Sequence, residues 1–463
     1  MIQIDILPDD VLLGIFDFYE DIYPSYEEVK ATVEAWQSLI HVCQRWRILV
    51  FGSPRRLNLR LYCTPQTPVK DRLDIWPALP LIVQGNLEVR LRRGIDNVIA
   101  ALGESNRVRE VKIWSLLGSQ SENDLAPMQV SFPELTYLHL HSDDETPRVI
   151  PDSFLGGSAP RLGHFSLSGI SFLGLPKLLL SATQLTSLIL TNIPHSGYIS
   201  PEAIVAALSA LSGLKKFYLE FRSPQSRPDR ENQSLSPPNR SVLPSLYVFL
   251  FKGVTEYLEE LTNCIDTPQL NHMDITFFNQ IDFDCPRLAQ FIDRTPKLRA
   301  LNEAHVRFDY WTAVVKLRTP NISFSNLQIH ILCREPDWQL SSMEQVCNNS
   351  LPAVPTVEDL YIERGYTELL WAHNAIENNL WLQLLLPFTA VKNLYLSKGF
   401  APGIVAALYE ARMTYVLPSL QNIFVERPET LGPFHEYIEL LVAARQLRVS
   451  DHPINISVWG NSQ

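Results

Sequence analysis

One short apolar phrase, repeated along most of the chain, constrains the fold more than any other feature. An aliphatic residue is followed three and five positions later by others, often just after a proline, as in Phe132-Pro-Glu-Leu-Thr-Tyr-Leu-His-Leu140. The copies lie about 28 residues apart, a spacing typical of repeat proteins. They begin at Val108, Leu135, Leu162, Leu185, Leu214, Leu246, Leu270, Leu298, Phe324, Val357, Val391 and Leu420.

Each copy ends in apolar residues that alternate with variable ones, which predicts a strand buried on one face. Helical segments separate the copies. The clearest, Ser200 to Gly213, begins with a serine cap and Pro201 in the first helical position. One strand with its helix cannot bury its own aliphatic residues, whereas a stack of such units shares a continuous core.

The repeats resemble the leucine-rich-repeat family over about residues 75 to 450. The resemblance implies an α/β fold, an irregular solenoid of about 12 units over residues 108–450, shaped as a horseshoe with parallel strands on its concave face. The alternative is an ordinary doubly wound parallel sheet, which uses similar buried strands. Residues 63–107 are expected to connect and cap the solenoid, and residues 451–463 to form a C-terminal tail.

A polar segment rich in proline and serine, residues 222–241, interrupts the repeats and is expected to form a flexible insertion. Two of its serines, Ser223 and Ser236, precede prolines. Phosphorylation at these serines is an alternative to a passive insertion.

Composition limits the kinds of binding partner and the cellular compartment that we expect for this protein. The chain carries 39 Lys and Arg against 50 Asp and Glu, a net charge of −11, which disfavours nucleic acid as a ligand. No apolar run is long enough to span a membrane, and the first residues do not resemble a signal peptide. The 6 cysteines contain no closely spaced pair. We therefore expect reduced thiols, a cytoplasmic or nuclear protein, and neither nucleic acid nor membrane as partner.

Near the N-terminus, residues 6–18 predict a short helix from Pro8, with Asp9 and Asp10 at the positive end of its dipole. A second helix is predicted near residues 33–50, around Trp46. The two helices carry more apolar residues than so small a module can bury.

This region resembles the F-box family, of the fungal type with C-terminal leucine-rich repeats. The matching residues are Leu7-Pro8-x-Asp10-x-Leu12-Leu13-x-Ile15-Phe16, then Val42-Cys43-Gln44-Arg45-Trp46-Arg47 and Ser53-Pro54-Arg55-Arg56-Leu57.

The resemblance implies that residues 1–62 form a helical module that docks on a Skp-type adaptor and, through it, on a cullin-RING ubiquitin ligase (the SCF type). The repeats behind it would bind the protein to be ubiquitinated. The adaptor contacts are expected to be Leu7, Pro8, Leu12, Ile15 and Phe16. Alternatively, the helices only cap the solenoid, and the chain is a leucine-rich-repeat scaffold outside any ligase.

No phosphate-binding loop, zinc-protease motif, nucleophile elbow or dinucleotide fingerprint is present. We therefore expect a non-catalytic protein with no cofactor and no metal. His139 and His141 alternate on one predicted strand near Asp143 and Asp144, so a metal there is the alternative, as is a hydrolase or transferase built on an α/β sheet.

In the later repeats, the variable strand positions that face outward form columns. One column reads Tyr361, Tyr395, Phe424, with Asn393 and Asn422 in the neighbouring row. Aromatic residues anchor protein interfaces, and carboxylates at the rim favour a basic partner segment. The aromatic residues could instead reflect strand propensity. The predicted substrate-binding residues are Tyr361, Tyr395, Phe424, Asp359, Glu363 and Glu426.

Overall fold

The chain folds as two compact units. Unit 1 comprises Met1–Leu188 and Asn192–Gly197, and unit 2 comprises Ile189–Thr191 and Tyr198–Gln463. The computed structural model describes residues 7–20, 39–52, 59–64, 66, 69–75, 79–86, 92–115, 125–144, 148–224, 240–299, 301–319, 326–365, 378–410, 415–426, 448–449 and 452–459. The predicted domain boundaries at residues 62 and 107 stay predictions.

The repeated phrase forms a tight turn followed by a strand. The backbone N–H of Leu135 donates to the Phe132 carbonyl at 3.2 Å, and that of Leu420 donates to Leu417 at 3.1 Å. The strands begin two residues later. Because the turn fixes where each strand starts, outward positions of successive repeats fall in register.

Unit 1 is a mixed α/β unit. Its helices are α1 (Asp9–Glu20), α2 (Gln44–Gly52), α3 (Val69–Ile75), α4 (Arg92–Leu102) and α5 (Leu175–Leu179). Its strands are β1 (Leu59–Cys63), β2 (Leu81–Asn86), β3 (Val108–Trp114), β4 (Tyr137–His141), β5 (Arg148–Val149), β6 (His164–Ser168) and β7 (Ile170–Ser171). Strand β8 (Ser187–Ile193) contributes residues to both units.

The main sheet of unit 1 has the order β1-β2-β3-β4-β6, and every neighbouring pair in it is parallel. The parallel sheet therefore begins at β1, ahead of the first predicted copy of the phrase at Val108. Residues 63–107, expected to connect and cap, contain β2 and the helix that follows it.

Unit 2 continues the alternation of strands and helices. Its helices are α6 (Pro201–Leu208), α7 (Thr255–Cys264), α8 (Pro286–Arg294), α9 (Pro296–Arg299), α10 (Pro336–Asn349), α11 (Asn378–Leu385) and α12 (Ala401–Glu410). Its strands are β9 (Lys216–Phe221), β10 (Ser241–Val242), β11 (Val248–Gly253), β12 (Ile265–Asp266), β13 (His272–Phe277), β14 (Glu303–Phe308), β15 (Thr312–Arg318), β16 (Leu327–Leu332), β17 (Asp359–Arg364), β18 (Asn393–Leu396), β19 (Asn422–Glu426), β20 (Arg448–Val449), β21 (His452–Pro453) and β22 (Asn455–Trp459).

The predicted helix from Ser200 is confirmed. Pro201 occupies its first turn, and the Ser200 hydroxyl accepts a hydrogen bond from the Ala203 N–H at 3.3 Å. Of the predicted insertion, residues 225–239 lie outside the described residues, while Ser241 belongs to β10 and pairs with Ile265.

The main sheet of unit 2 departs from strict repeat order. Strands follow as β9-β11-β13-β16-β15-β14-β17-β18-β19-β22, and β15 runs antiparallel to both of its neighbours. A turn of three residues, 309–311, joins β14 to β15, which is too short for a helical crossover and so forces a hairpin. The copies that begin at Leu298 and Phe324 are therefore not successive parallel units.

Residues 455–459, expected to lie in a C-terminal tail, form β22. Asn455 pairs with Asn422 and Trp459 with Glu426, all in parallel register with β19. The segment Asn455-Ile-Ser-Val-Trp459 is rich in β-branched and aromatic residues, and it covers the hydrogen-bonding edge that β19 would otherwise expose.

The core of each unit lies on the inward side of its strands. Leu138 and Leu140 in unit 1 are fully buried, as are Phe217 and Phe249 in unit 2, whose rings stack at 5.4 Å.

All six cysteines are free, and burial raises the pKa of the Cys63 thiol to about 12. Within the described part of the chain, no helix combines the length and apolar character needed to cross a bilayer.

Candidate functional site

The predicted aromatic column exists on the outward strand face of unit 2 and is longer than expected. Tyr361, Tyr395 and Phe424 lie opposite one another on β17, β18 and β19. The rings stack in parallel, with centroids 4.1 Å apart for the tyrosine pair and 4.5 Å for Tyr395 and Phe424. His305 on β14 stacks on Tyr361 at 4.2 Å. We call these four residues the aromatic ladder.

His305 ends the ladder between two carboxylates. Its Nε2 lies 2.8 Å from Glu303 Oε1, and its Nδ1 lies 3.1 Å from Glu363 Oε1. Arg318 on β15 donates through Nε to the same Glu303 oxygen at 2.8 Å. The hairpin of β14 and β15 thus supplies a cation, Arg318, that holds Glu303. Glu303 in turn fixes the orientation of the His305 imidazole.

The two carboxyl groups stay ionised in this setting. Burial alone would raise the pKa of Glu303, but hydrogen bonds from Arg318 and His305 outweigh it and hold the pKa below its usual value. The pKa of Glu363 is lowered in the same way, because the hydrogen bond from His305 offsets burial. Both carboxylates therefore bear a negative charge at neutral pH, and Arg318 partly offsets that of Glu303.

An amide row runs beside the ladder on the same strands. The Asn393 side chain donates to Asp359 at 2.7 Å, Asn422 donates to Asn393 at 2.7 Å, and Asn455 donates to Asn422 at 3.2 Å. Each side-chain N–H₂ group serves the next strand, so the row fixes the strands in register. Asp359, predicted as a binding residue, is the acceptor that ends this row.

The other border of the ladder contains Glu426 and Trp459. Glu426 Oε2 accepts from the Lys398 backbone N–H at 3.2 Å. The Trp459 ring meets the rings of Tyr361 and Tyr395 nearly at right angles, with centroids 6.1 and 5.7 Å away. Its indole Nε1 and the hydroxyl of Ser397 are buried without a hydrogen-bond partner.

The structure brings all six predicted binding residues to one face, although it does not test whether they bind anything. The prediction missed His305, Glu303 and Trp459. The copy at Leu298 precedes its strand by five residues instead of the usual two, so His305 was not aligned with Tyr361. Trp459 was missed because its strand was taken for a tail.

In unit 1, the histidines raised as metal ligands serve other contacts. His139 Nδ1 lies 3.0 Å from the Ser166 hydroxyl, and His141 Nε2 lies 2.7 Å from Asp143. Burial, followed by the nearby His141 and Lys112, lowers the pKa of His139. Across the described residues, no three His, Cys, Asp or Glu side chains are grouped so that they could hold a metal ion.

The N-terminal helices pack against each other. The rings of Phe16 on α1 and Trp46 on α2 lie 4.9 Å apart, and Arg45 bonds to Asp9 at 2.5 Å and to the Leu7 carbonyl at 2.6 Å. The predicted helix near residues 33–50 is interrupted by a turn at residues 40–42, after which α2 begins at Gln44; residues 33–38 lie outside the described residues.

Two of the five predicted adaptor contacts are buried inside the protein. Leu12 is 0% exposed and Phe16 6%, because these residues, one helical turn apart, form the inward side of α1. Pro8 is exposed, Leu7 is half-buried, and Ile15 is 39% exposed. Further apolar side chains on this pair of helices face outward: Val11, Ile48 and Phe51.

No known protein family matches the chain, and no curated protein matches it in sequence. Among solved structures, the chain is similar to the leucine-rich repeat-containing protein LegL7 from Legionella pneumophila. The two share 13% identity with a TM-score of 0.28, over 83% of this chain and 97% of that one.

Proposed function

We propose that the protein is a non-catalytic substrate receptor of a cullin-RING ubiquitin ligase. The N-terminal helices dock on a Skp-type adaptor, and the outward strand face of unit 2 binds the protein to be ubiquitinated. The single observation that carries the proposal is the outward apolar surface of α1 and α2. It occurs in the segment that resembles the F-box family.

That outward surface has the composition of a docking site. Val11 and Ile15, one turn apart on α1, are 42% and 39% exposed, and Ile48 on α2 is 63% exposed. Their inward neighbours already hold the two helices together, so the outward residues add nothing visible to the packing of the described chain. Such residues are suited to insertion between the helices of a partner.

The strand face of unit 2 has the composition of a protein-binding surface. Tyrosine and tryptophan supply large, rigid contact areas, and the adjoining carboxylates select for the charge of the partner. The parallel strands hold the ladder at fixed spacings, so little side-chain entropy is lost when a partner binds.

Capture of the adaptor tests the proposal. A doubly substituted chain, Val11→Asp with Ile15→Asp, is expected to lose co-purification with a Skp-type adaptor while its circular dichroism spectrum stays unchanged. The pair Leu7→Ala and Pro8→Ala is expected to act in the same direction.

The matched control is Ile281→Asp, because Ile281 is 82% exposed but lies in unit 2. It is expected to retain the adaptor. Undiminished capture by the Val11/Ile15 variant would contradict the proposed docking surface.

A second candidate is a protein-interaction scaffold outside any ligase. The burial of Leu12 and Phe16 favours it, since inward packing of α1 is what a cap on the repeats needs. This candidate predicts that wild-type protein captures no adaptor, whereas substitutions in the aromatic ladder still abolish capture of a target protein.

A further inference from the structure

The aromatic ladder ends differently on its two sides. On the β14 side, the planar ring of His305 closes the stack, and its two nitrogens lie within hydrogen-bonding distance of two carboxylates. On the β22 side, Phe424 lies opposite Ser457, a small exposed side chain. Among the described residues, no ring therefore occupies the rung of the stack over Ser457, next to one face of the Phe424 ring.

Resting on the receptor role proposed above, we infer that this rung binds an arginine side chain from an extended segment of the target protein. The guanidinium group would stack on Phe424 and donate to Glu426. It would match His305 at the other end, which is also a flat, nitrogen-bearing group that rests on an aromatic ring beside carboxylates.

The charge around the rung fits this occupant. Glu426 lies in the row next to Ser457, and its sheet partner is Trp459, two residues after Ser457. Asp359 and Glu363 add negative charge further along the ladder. A guanidinium is planar, carries several donors and stacks on aromatic faces, whereas a lysine ammonium is a compact, strongly hydrated charge. The rung therefore favours arginine over lysine.

Two buried polar groups without hydrogen-bond partners support the view that the arginine belongs to a peptide. The Trp459 Nε1–H and the Ser397 hydroxyl are buried without hydrogen-bond partners, and the strand register places both residues on the Glu426 border. Buried donors without acceptors are costly. A main-chain carbonyl of a bound segment could accept from Trp459 once the indole rotates outward.

Fluorescence anisotropy with the full chain tests the inference. The probes are fluorescein-labelled hexapeptides that alternate glycine with arginine, lysine or citrulline, the neutral analogue of arginine. At about 150 mM salt, where screening weakens long-range attraction, the arginine peptide is expected to bind about tenfold more tightly than the other two.

Substitutions locate the site. Phe424→Leu and Glu426→Gln are each expected to weaken binding of the arginine peptide about tenfold. Ser457→Arg fills the rung from within the chain and is expected to abolish binding. The matched controls Tyr218→Leu, on β9 of the same unit, and Glu134→Gln, in unit 1, are expected to leave binding unchanged.

Equal binding of the arginine and lysine peptides, undiminished by Phe424→Leu or Ser457→Arg, would overturn the inference. It would indicate general attraction of cations to a chain of net charge −11. The proposed ligase role fails separately, because loss of adaptor capture in wild-type protein would leave binding of the arginine peptide intact.

Discussion

The outward strand faces of the two units occupy equivalent positions in their repeats but differ in chemistry. In unit 1, Tyr137 stacks on His164 at 4.2 Å, and Lys112 lies over the same tyrosine ring at 4.6 Å. In unit 2, four rings stack in sequence and carboxylates border them. Unit 1 thus provides its own cation for its tyrosine, whereas unit 2 combines aromatic faces with negative charge.

We propose the unit 2 face, and not the unit 1 face, as the surface that binds another molecule. An aromatic ring that already carries a lysine of its own chain has less to offer a partner. The unit 2 face instead uses its internal cations, Arg318 above all, to hold Glu303 at the end of the ladder. Its opposite end, at Phe424, faces a serine.

The largest expected effect comes from removing the carboxylate at the closed end. Glu303→Ala leaves Arg318 and His305 without their shared acceptor in a site where the Glu303 side chain is only 10% exposed. We expect a loss of about 3 kcal/mol in the free energy of unfolding, measured by urea denaturation.

The comparison variant in unit 1 is Glu110→Ala. Glu110 binds Lys112 at 3.0 Å, and its side chain is 19% exposed, about twice as exposed as that of Glu303. A loss of about 1 kcal/mol or less is expected. Equal losses in the two variants would mean that the faces do not differ in how their carboxylates are used.

A smaller effect is expected from shortening the ladder. Tyr395→Leu removes stacking on both Tyr361 and Phe424 and should cost about 1 to 2 kcal/mol in urea denaturation. Tyr137→Leu removes the stack on His164 and should cost about 1 kcal/mol. If Tyr395→Leu costs no more free energy of unfolding than Tyr137→Leu, the rings of the ladder do not pack cooperatively.

The smallest expected effect is a difference between the two faces in how the stability of the fold depends on pH. The folded-state pKa of Glu303 lies below its usual value of 4.5, so the unfolded chain protonates first as pH falls, and stability is lost below about pH 4.5. The pKa of His139 lies below its usual value of 6.5, so its contribution is lost as pH falls from about 6.5.

Urea titrations across pH test this assignment. Glu303→Gln should flatten the dependence of stability on pH below about 4.5, and His139→Gln should flatten it just below about 6.5. Identical pH profiles for both variants would contradict the assignment of these windows.

The aromatic ladder could be predicted from the sequence because a local turn sets the register of each strand. The copies at Val357, Val391 and Leu420 each precede their strands by two residues, so Tyr361, Tyr395 and Phe424 align without knowledge of the tertiary structure. Repeat spacing carries that information within a single unit.

The hairpin and the buried anchors could not be predicted in this way. Placing β16 beside β13 depends on a choice between distant strands, which local spacing does not encode. On α1, apolar residues occupy both the inward and the outward sides, so the sequence could not tell that Leu12 packs inside while Val11 faces outward. Tertiary packing decides between them.

The most direct test of the central claim is the mass of the complex that the purified chain forms with a purified Skp-type adaptor, measured by light scattering after size exclusion. Docking through the outward surface of α1 and α2 predicts a 1:1 complex for the wild type and for Phe424→Leu. It predicts free components for the Val11→Asp, Ile15→Asp variant. Absence of a complex with the wild type, or an undiminished complex with the doubly substituted chain, would contradict the claim.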